Sequence, residues 1–136
     1  MINFNYETTF QLDNQDELSR WISGVIISEK FKEGDINYVF CDDSYLLKLN
    51  IEFLNHDTLT DVISFDESIG KILHGDIFIS IQRVKENARN FNVSFQEELN
   101  RVAIHGILHY CGYNDKTDED SKQMRIKENF YLSQLS

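Results

Sequence analysis

The residues best suited to chemistry are concentrated between His105 and Asp115, where His105, Gly106, Ile107, Leu108, His109, Tyr110, Cys111, Gly112, Tyr113, Asn114 and Asp115 read HxxxHxxGxxD. Histidines four residues apart on a helix lie one above the other on one face, so both imidazoles can reach one ion. Gly112, just past the expected helix end, accepts a left-handed backbone that other residues resist. Three residues later, the Asp115 carboxylate can swing back toward the same ion. Two nitrogens, one oxygen and a fourth position left to water form a catalytic zinc arrangement, whereas structural zinc is usually closed by four ligands rich in cysteine. A histidine on an apolar helix is ordinarily a packed or capped side chain, so the pair alone carries little weight. Gly112 and Asp115 at the correct later positions supply the specificity. One absence narrows the reaction: a HExxH metalloprotease has its glutamate base after the first histidine, and that place is Gly106 here.

The segment from His105 to Tyr113 resembles the signature of the YbeY endoribonucleases, the rRNA maturation factors, which reads HGxLH, two residues, GY, an acidic residue and a third histidine. Upstream, Leu49, Asn50, Phe53, Asp57, Thr60, Asp61, Val62, Ile63, Ser64 and Phe65 resemble the family's LNxxYRxxDxPTDVLSF segment. Gly75, Asp76 and Ile77 resemble its GDI strand. The three blocks occur in the right order across residues 49 to 115, and the chain's length fits a single member, so the resemblance covers the whole protein.

The resemblance implies a metal-dependent endoribonuclease specific for single strands, acting on the 3′ end of small-subunit rRNA and in ribosome quality control. Its expected partners are single-stranded rRNA and the small subunit or the ribosome, not DNA. His105, His109 and Asp115 would hold one Zn2+ per chain, with Mn2+ or another divalent ion as the alternative. Such an ion lowers the pKa of bound water and stabilises charge on phosphoryl oxygens. No catalytic side chain or general base is identified. Asp61 is a candidate for substrate contact, although an aspartate after threonine also organises turns.

Several positions depart from the family pattern. Asp115 stands where the family has its third histidine, and Asn114 where the acidic residue belongs. A carboxylate is a harder ligand than imidazole, which moves selectivity somewhat toward manganese or magnesium. Leu54 occupies the place of an arginine that would pair with phosphate through two parallel hydrogen bonds. Leu59 and Asp66 replace prolines, in a chain that has none. These departures keep a noncatalytic, metal-stabilised ribosome-assembly factor in contention, with a metallopeptidase as a further rival.

The 136 residues, 41% hydrophobic and 12% aromatic, suffice for one domain with a real core but not for two. Met1 to Phe10 lack a basic start and a long apolar run, so neither a signal peptide nor a membrane span is expected, and the cytoplasm is the expected location. Cys41 and Cys111 form no CxxC pair and read as reduced thiols. Cys111 follows His109 by two residues and therefore points to another helical face. A net charge of −10 repels phosphate, so strong binding to free RNA is not expected and a partner would have to present the strand.

The elements that must position the motif form an α+β pattern, a small mixed sheet of about four strands against about five helices, with the metal residues on a metzincin-like helix and the turn after it. Met1 to Tyr6, Ile36 to Cys41 and Val62 to Phe65 read as strands, and a fourth opens at Gly75 and alternates through Ile81. Asn14 with Glu17 resembles a capping box before a helix carrying Leu18, Trp21, Ile22 and Val25. Asp42 or Asp43 caps a second helix that presents Leu46, Leu49 and Phe53 on one side. Val84, Ala88 and Phe91 mark a third. Ser94 with Glu97 starts the metal-bearing helix, which ends at Gly112, and Thr117 with Asp120 starts the last. Asp118, Glu119 and Asp120 suit that helix's N-terminal dipole better than a metal. The segment from Asp66 to His74 reads as a flexible loop on the rim of the cleft, and His56 and His74 as exposed loop histidines.

Overall fold

Alternation along two neighbouring strands sets the architecture: Ile36, Tyr38 and Phe40 on one, and Leu73, Ile77 and Ile79 on the other, are all buried on a single sheet face. In the computed structural model, which describes residues 1–55 and 59–135, the elements are β1 (Ile2–Tyr6), α1 (Gln15–Ser28), β2 (Lys32–Cys41), α2 (Asp43–Leu54), β3 (Val62–Asp66), β4 (Ile72–Ser80), α3 (Ile81–Phe91), α4 (Phe95–Tyr110) and α5 (Asp118–Leu132). The sheet order is β1-β2-β4-β3, with β1, β2 and β4 mutually parallel and β3 antiparallel to β4. This is the expected mixed four-stranded sheet with five helices.

One face of the sheet packs against α1 and α4, where Leu18, Ile22, Val25 and Ile26 meet Leu99, Val102, Ala103 and Ile107 in the main core. Each such side chain contributes about 1.5–3 kcal/mol by leaving water. The opposite face packs Cys41 and Ile63 under Leu46 of α2, with Tyr45, Phe65 and Phe78 around them. Trp21 belongs to the core, where its indole Nε1 donates to Tyr131 O at 3.0 Å and so ties α1 to α5.

Helix α4 is fixed to the sheet along its length, and that fixes the direction of its histidines. Ser94 caps it by accepting from Glu97 N at 3.0 Å. Tyr38 Oη then donates to Ala103 O at 2.8 Å, and Tyr110 Oη donates to Phe65 O and Asp76 O at 2.9 and 3.1 Å. Gly106 brings the helix close to β4, since a Cβ there would meet Ile77 Cδ1 at 3.0 Å.

Several element boundaries differ from expectation, each for a physical reason. Asn14 precedes α1 but accepts no capping hydrogen bond, and its Oδ1 is buried without a hydrogen-bond partner among the described residues. β2 starts at Lys32, ahead of an irregularity between Glu33 and Ile36 that breaks the alternation. β4 starts at Ile72, so Gly75 lies inside the strand, where a Cβ would collide with Phe65 O and the Tyr110 ring. Ser80 ends β4 and caps α3 through Arg83 N, which moves Ile81 into the helix. Phe53 shares the helix side of Leu46 and Leu49, where it meets the Phe65 ring edge-on at 5.8 Å, although it is 60% exposed. The expected loop from Asp66 to His74 is largely the β3–β4 hairpin, closed by the Ile69–Ile72 bridge around Gly70 at φ 59°.

Candidate metal centre

The triad converges. His105 Nε2 faces His109 Nε2 at 2.9 Å, and Asp115 Oδ2 lies 3.3 and 3.4 Å from these two atoms. Three ligands each about 2.0–2.1 Å from one tetrahedral zinc stand roughly 3.3 Å apart, so the donor set fits a single divalent ion. The helix places the two imidazoles one turn apart, and the chain then reverses at Gly112, whose φ of 102° is left-handed and strained for any side chain. The new direction is anchored by Ser121 Oγ, which donates to Asp115 O at 3.1 Å.

Each imidazole is held through its other nitrogen. His109 Nδ1 donates to Tyr113 O at 2.9 Å, and His105 Nδ1 donates to Glu128 Oε2 at 2.7 Å. Both Nε2 atoms are thereby left as acceptors on the same side, as a shared ion requires. Burial of His105 opposes its protonation, but the Glu128 carboxylate outweighs this and raises its pKa above the usual value. Burial likewise opposes ionisation of Glu128, and its hydrogen bond to His105 and the nearby cations bring its pKa below the ordinary range. Arg101 completes the arrangement at 3.0 Å from Glu128 Oε1.

Two cavities flank the triad, and His105, Asp115, Asp61 and Val62 line both. The smaller, about 200 Å³, extends along Thr60, Ser64 and His109. The larger, about 290 Å³, reaches Asn87 and Phe91 on α3 and Arg125 on α5. Asp61 Oδ2 accepts from Asn87 Nδ2 at 3.3 Å, and burial raises its pKa above the ordinary carboxylate value. Burial also raises Glu98, which lines the larger cavity.

The structure therefore brings His105, His109, Asp115 and Asp61 together. Leu54 lines neither cavity and is 44% exposed at the end of α2. His74 is not an exposed loop residue: it lies half-buried in β4, and its Nδ1 accepts from Asp35 N at 3.0 Å. The hairpin from Asp66 to His74 lines neither cavity, because β3 carries the chain from Asp61 to the far end of the sheet. His56 and Asp57 lie outside the described residues. Cys111 is half-buried, with its thiol pushed up to about 12, mainly by burial. Asp118, Glu119 and Asp120 form the first turn of α5, where Thr117 Oγ1 accepts from Asp120 N.

Sequence reasoning missed Glu128, Asn87, Glu98, Arg101 and Arg125. The partial signal for Glu128 was its position one turn after Met124 on the buried face of a helix otherwise rich in charge.

A family model described as Endoribonuclease YbeY matches residues 2–136. Among similar proteins, the Endoribonuclease YbeY of Flavobacterium johnsoniae is 63% identical over 128 residues, covering 94% of this chain and 92% of its own. That of Flavobacterium psychrophilum is 61% identical, with 94% and 91% covered. The solution structure of TM1509 from Thermotoga maritima superposes with a TM-score of 0.71 at 31% identity, covering 99% of this chain and 89% of that one. Among the described residues no helix is long and apolar enough to cross a membrane.

Proposed function

This chain belongs to the Endoribonuclease YbeY family, and on that premise we propose that it is a zinc-dependent endoribonuclease that hydrolyses phosphodiester bonds in single-stranded RNA. Its setting is the cytoplasm, in maturation of the small-subunit rRNA 3′ end and in ribosome quality control. The observation that carries the reading is the convergence of His105 Nε2, His109 Nε2 and Asp115 Oδ2 between two open cavities. A strand crossing from one cavity to the other would bring a phosphodiester to the triad.

His105, His109 and Asp115 would hold the ion, and Mn2+ is the alternative to Zn2+ because of the single carboxylate. When bound, it supplies Lewis-acid stabilisation of charge on the phosphoryl oxygens and an acidified water. Glu128 and Tyr113 O keep the two imidazoles oriented. Asp61, held by Asn87, would accept a hydrogen bond from a ribose hydroxyl. The protein's charge of −10 disfavours free RNA, which is why the small ribosomal subunit is proposed as the partner that presents the strand.

Peptide hydrolysis is disfavoured by Gly106. It has no side chain to act as base, and it faces Ile77 too closely for a glutamate to be introduced without displacement.

The test is cleavage of a single-stranded rRNA precursor fragment by zinc-loaded protein, with and without small subunits, beside His109→Ala. Cleavage by the wild type that disappears in the variant supports the reading. Absence of cleavage in both settings, with zinc bound and the fold intact, would replace it with a noncatalytic assembly factor.

A further inference from the structure

The larger cavity contains three side chains that the metal centre does not use. Phe91, at the end of α3, is 58% exposed and has no aromatic partner among the described residues. Glu98 is only 4% exposed, yet among the described residues its carboxylate, which lines the cavity, makes neither a hydrogen bond nor an ion pair within 4.0 Å. Its oxygens meet the open space of the cavity, so a ligand there finds two acceptors to pair with. Arg125 is 57% exposed and sits 3.8 Å from Glu128, whereas Arg101 is 16% exposed and committed to that carboxylate at 3.0 Å. Arg125 is thus the cation of this cavity with guanidinium donors to spare.

We propose that this cavity is a nucleoside pocket of the RNA site, in which Phe91 stacks on an unpaired base, Glu98 accepts hydrogen bonds from its edge, and Arg125 binds the adjoining phosphate. The inference rests on the endoribonuclease reading and adds a base preference to it. The pocket, about 290 Å³, sits at the low end of the roughly 300–1,000 Å³ of small-ligand sites, a space suited to one nucleoside and not to a duplex. Aromatic faces accept any base, while the Watson–Crick edge supplies the discrimination in single-stranded RNA. A carboxylate offers only acceptors. Guanine presents two adjacent N–H groups to its two oxygens, whereas uracil presents one imino N–H between two carbonyls that repel it. The pocket therefore selects guanosine over uridine next to the triad.

The test uses zinc-loaded full-length protein and two labelled single-stranded oligoribonucleotides, one all uridine and one with a single central guanosine, read by anisotropy and by mapping of cuts. The wild type is expected to bind the guanosine strand more tightly and to cut beside that residue. Glu98→Gln is expected to abolish the preference while zinc content is unchanged. Phe91→Ala, at an exposed position that folding tolerates, weakens both strands by roughly tenfold, and Phe91→Trp restores binding. Arg125→Ala weakens both strands and flattens the salt dependence. If the wild type cuts RNA but shows no guanosine preference, or if Phe91→Ala and Glu98→Gln behave as wild type, the pocket is refuted and the endoribonuclease reading stands. If zinc-loaded wild type neither binds nor cuts either strand, alone or with small subunits, both fall together.

Discussion

The Glu128 carboxylate lies 2.7 Å from His105 Nδ1 and simultaneously takes Arg101 at 3.0 Å, so one buried acid on α5 fixes both a candidate metal ligand and a cation on α4. Replacing a carboxylate behind a ligating imidazole typically lowers metal affinity by 10–100-fold, because ring orientation and basicity both suffer. Glu128→Gln is therefore expected to weaken zinc binding by roughly tenfold or more, measured by competition with a chromophoric chelator. Glu128→Ala should in addition lower stability by about 3 kcal/mol, since it leaves a largely buried guanidinium without its partner. Unchanged zinc affinity in the glutamine variant would show that Glu128 serves only Arg101.

That relationship also marks where the sequence stops being legible. His105, His109, Gly112 and Asp115 fall within one helix and its turn, so local periodicity was enough to place them on one side of the chain. The strands and helices were visible for the same reason. Glu98 belongs to a helix whose own pattern gives no sign that a particular carboxylate faces a cavity, and for Glu128 the spacing from Met124 marks a buried face without showing what that face meets. Only the docking of α5 and α3 against α4 brings Glu128, Asn87 and Arg125 to the triad's edge. Gly75 was misplaced for a related reason: a glycine in a strand marks either an end or a close approach, and the Tyr110 ring that decides between them is 35 residues away.

Gly75 consequently yields a stability prediction with an internal control. Alanine there would collide with backbone Phe65 O and with the Tyr110 hydroxyl that anchors the end of α4. Overpacking at such a site costs about 1–3 kcal/mol or more, so Gly75→Ala should lower Tm and weaken zinc binding as α4 is displaced. Gly24, inside α1, has no atom within 4 Å of its missing Cβ, and Gly24→Ala should stabilise by roughly 0.5–1 kcal/mol. Thermal melts of the two variants in excess chelator separate the packing effect from metal binding. Equal Tm shifts would contradict the close approach.

A second network away from the candidate metal centre gives a pH dependence. Glu29, 9% exposed at the end of α1, accepts from Tyr113 Oη at 2.8 Å, from Lys127 Nζ at 3.2 Å and from Tyr131 Oη. Burial pushes its pKa upward, but these donors prevail and hold it below the ordinary value of 4.5. A carboxyl with a lowered folded pKa adds stability that is fully present above its unfolded pKa and is lost as pH falls through the folded one. Wild type should therefore exceed Glu29→Gln by about 2 kcal/mol in urea unfolding near neutrality. The margin should begin to shrink as pH drops below the usual carboxylate pKa and be gone once pH is under the folded value. A margin that is constant with pH would mean that the neutral hydrogen bonds, not the ionised carboxylate, carry the interaction.

Asp115 differs from the two histidines in burial as well as chemistry: its side chain is 45% exposed, against 22% for His105 and 29% for His109. It reaches the shared position from a turn rather than from the helix, so the imidazole pair is set by α4 while the third donor depends on Gly112 and on the Ser121 bond to Asp115 O. Asp115→Ala should leave the fold intact and reduce zinc affinity, with the two histidines still binding weakly. Asp115→His exchanges a hard oxygen for imidazole nitrogen and should shift preference toward zinc over manganese relative to wild type. Competition between the two ions, followed by elemental analysis after dialysis, reads that ratio directly. If it does not move, Asp115 is not a ligand, and the two histidines must draw their third donor from elsewhere in the cleft, where Asp61 is the other carboxyl lining the smaller cavity.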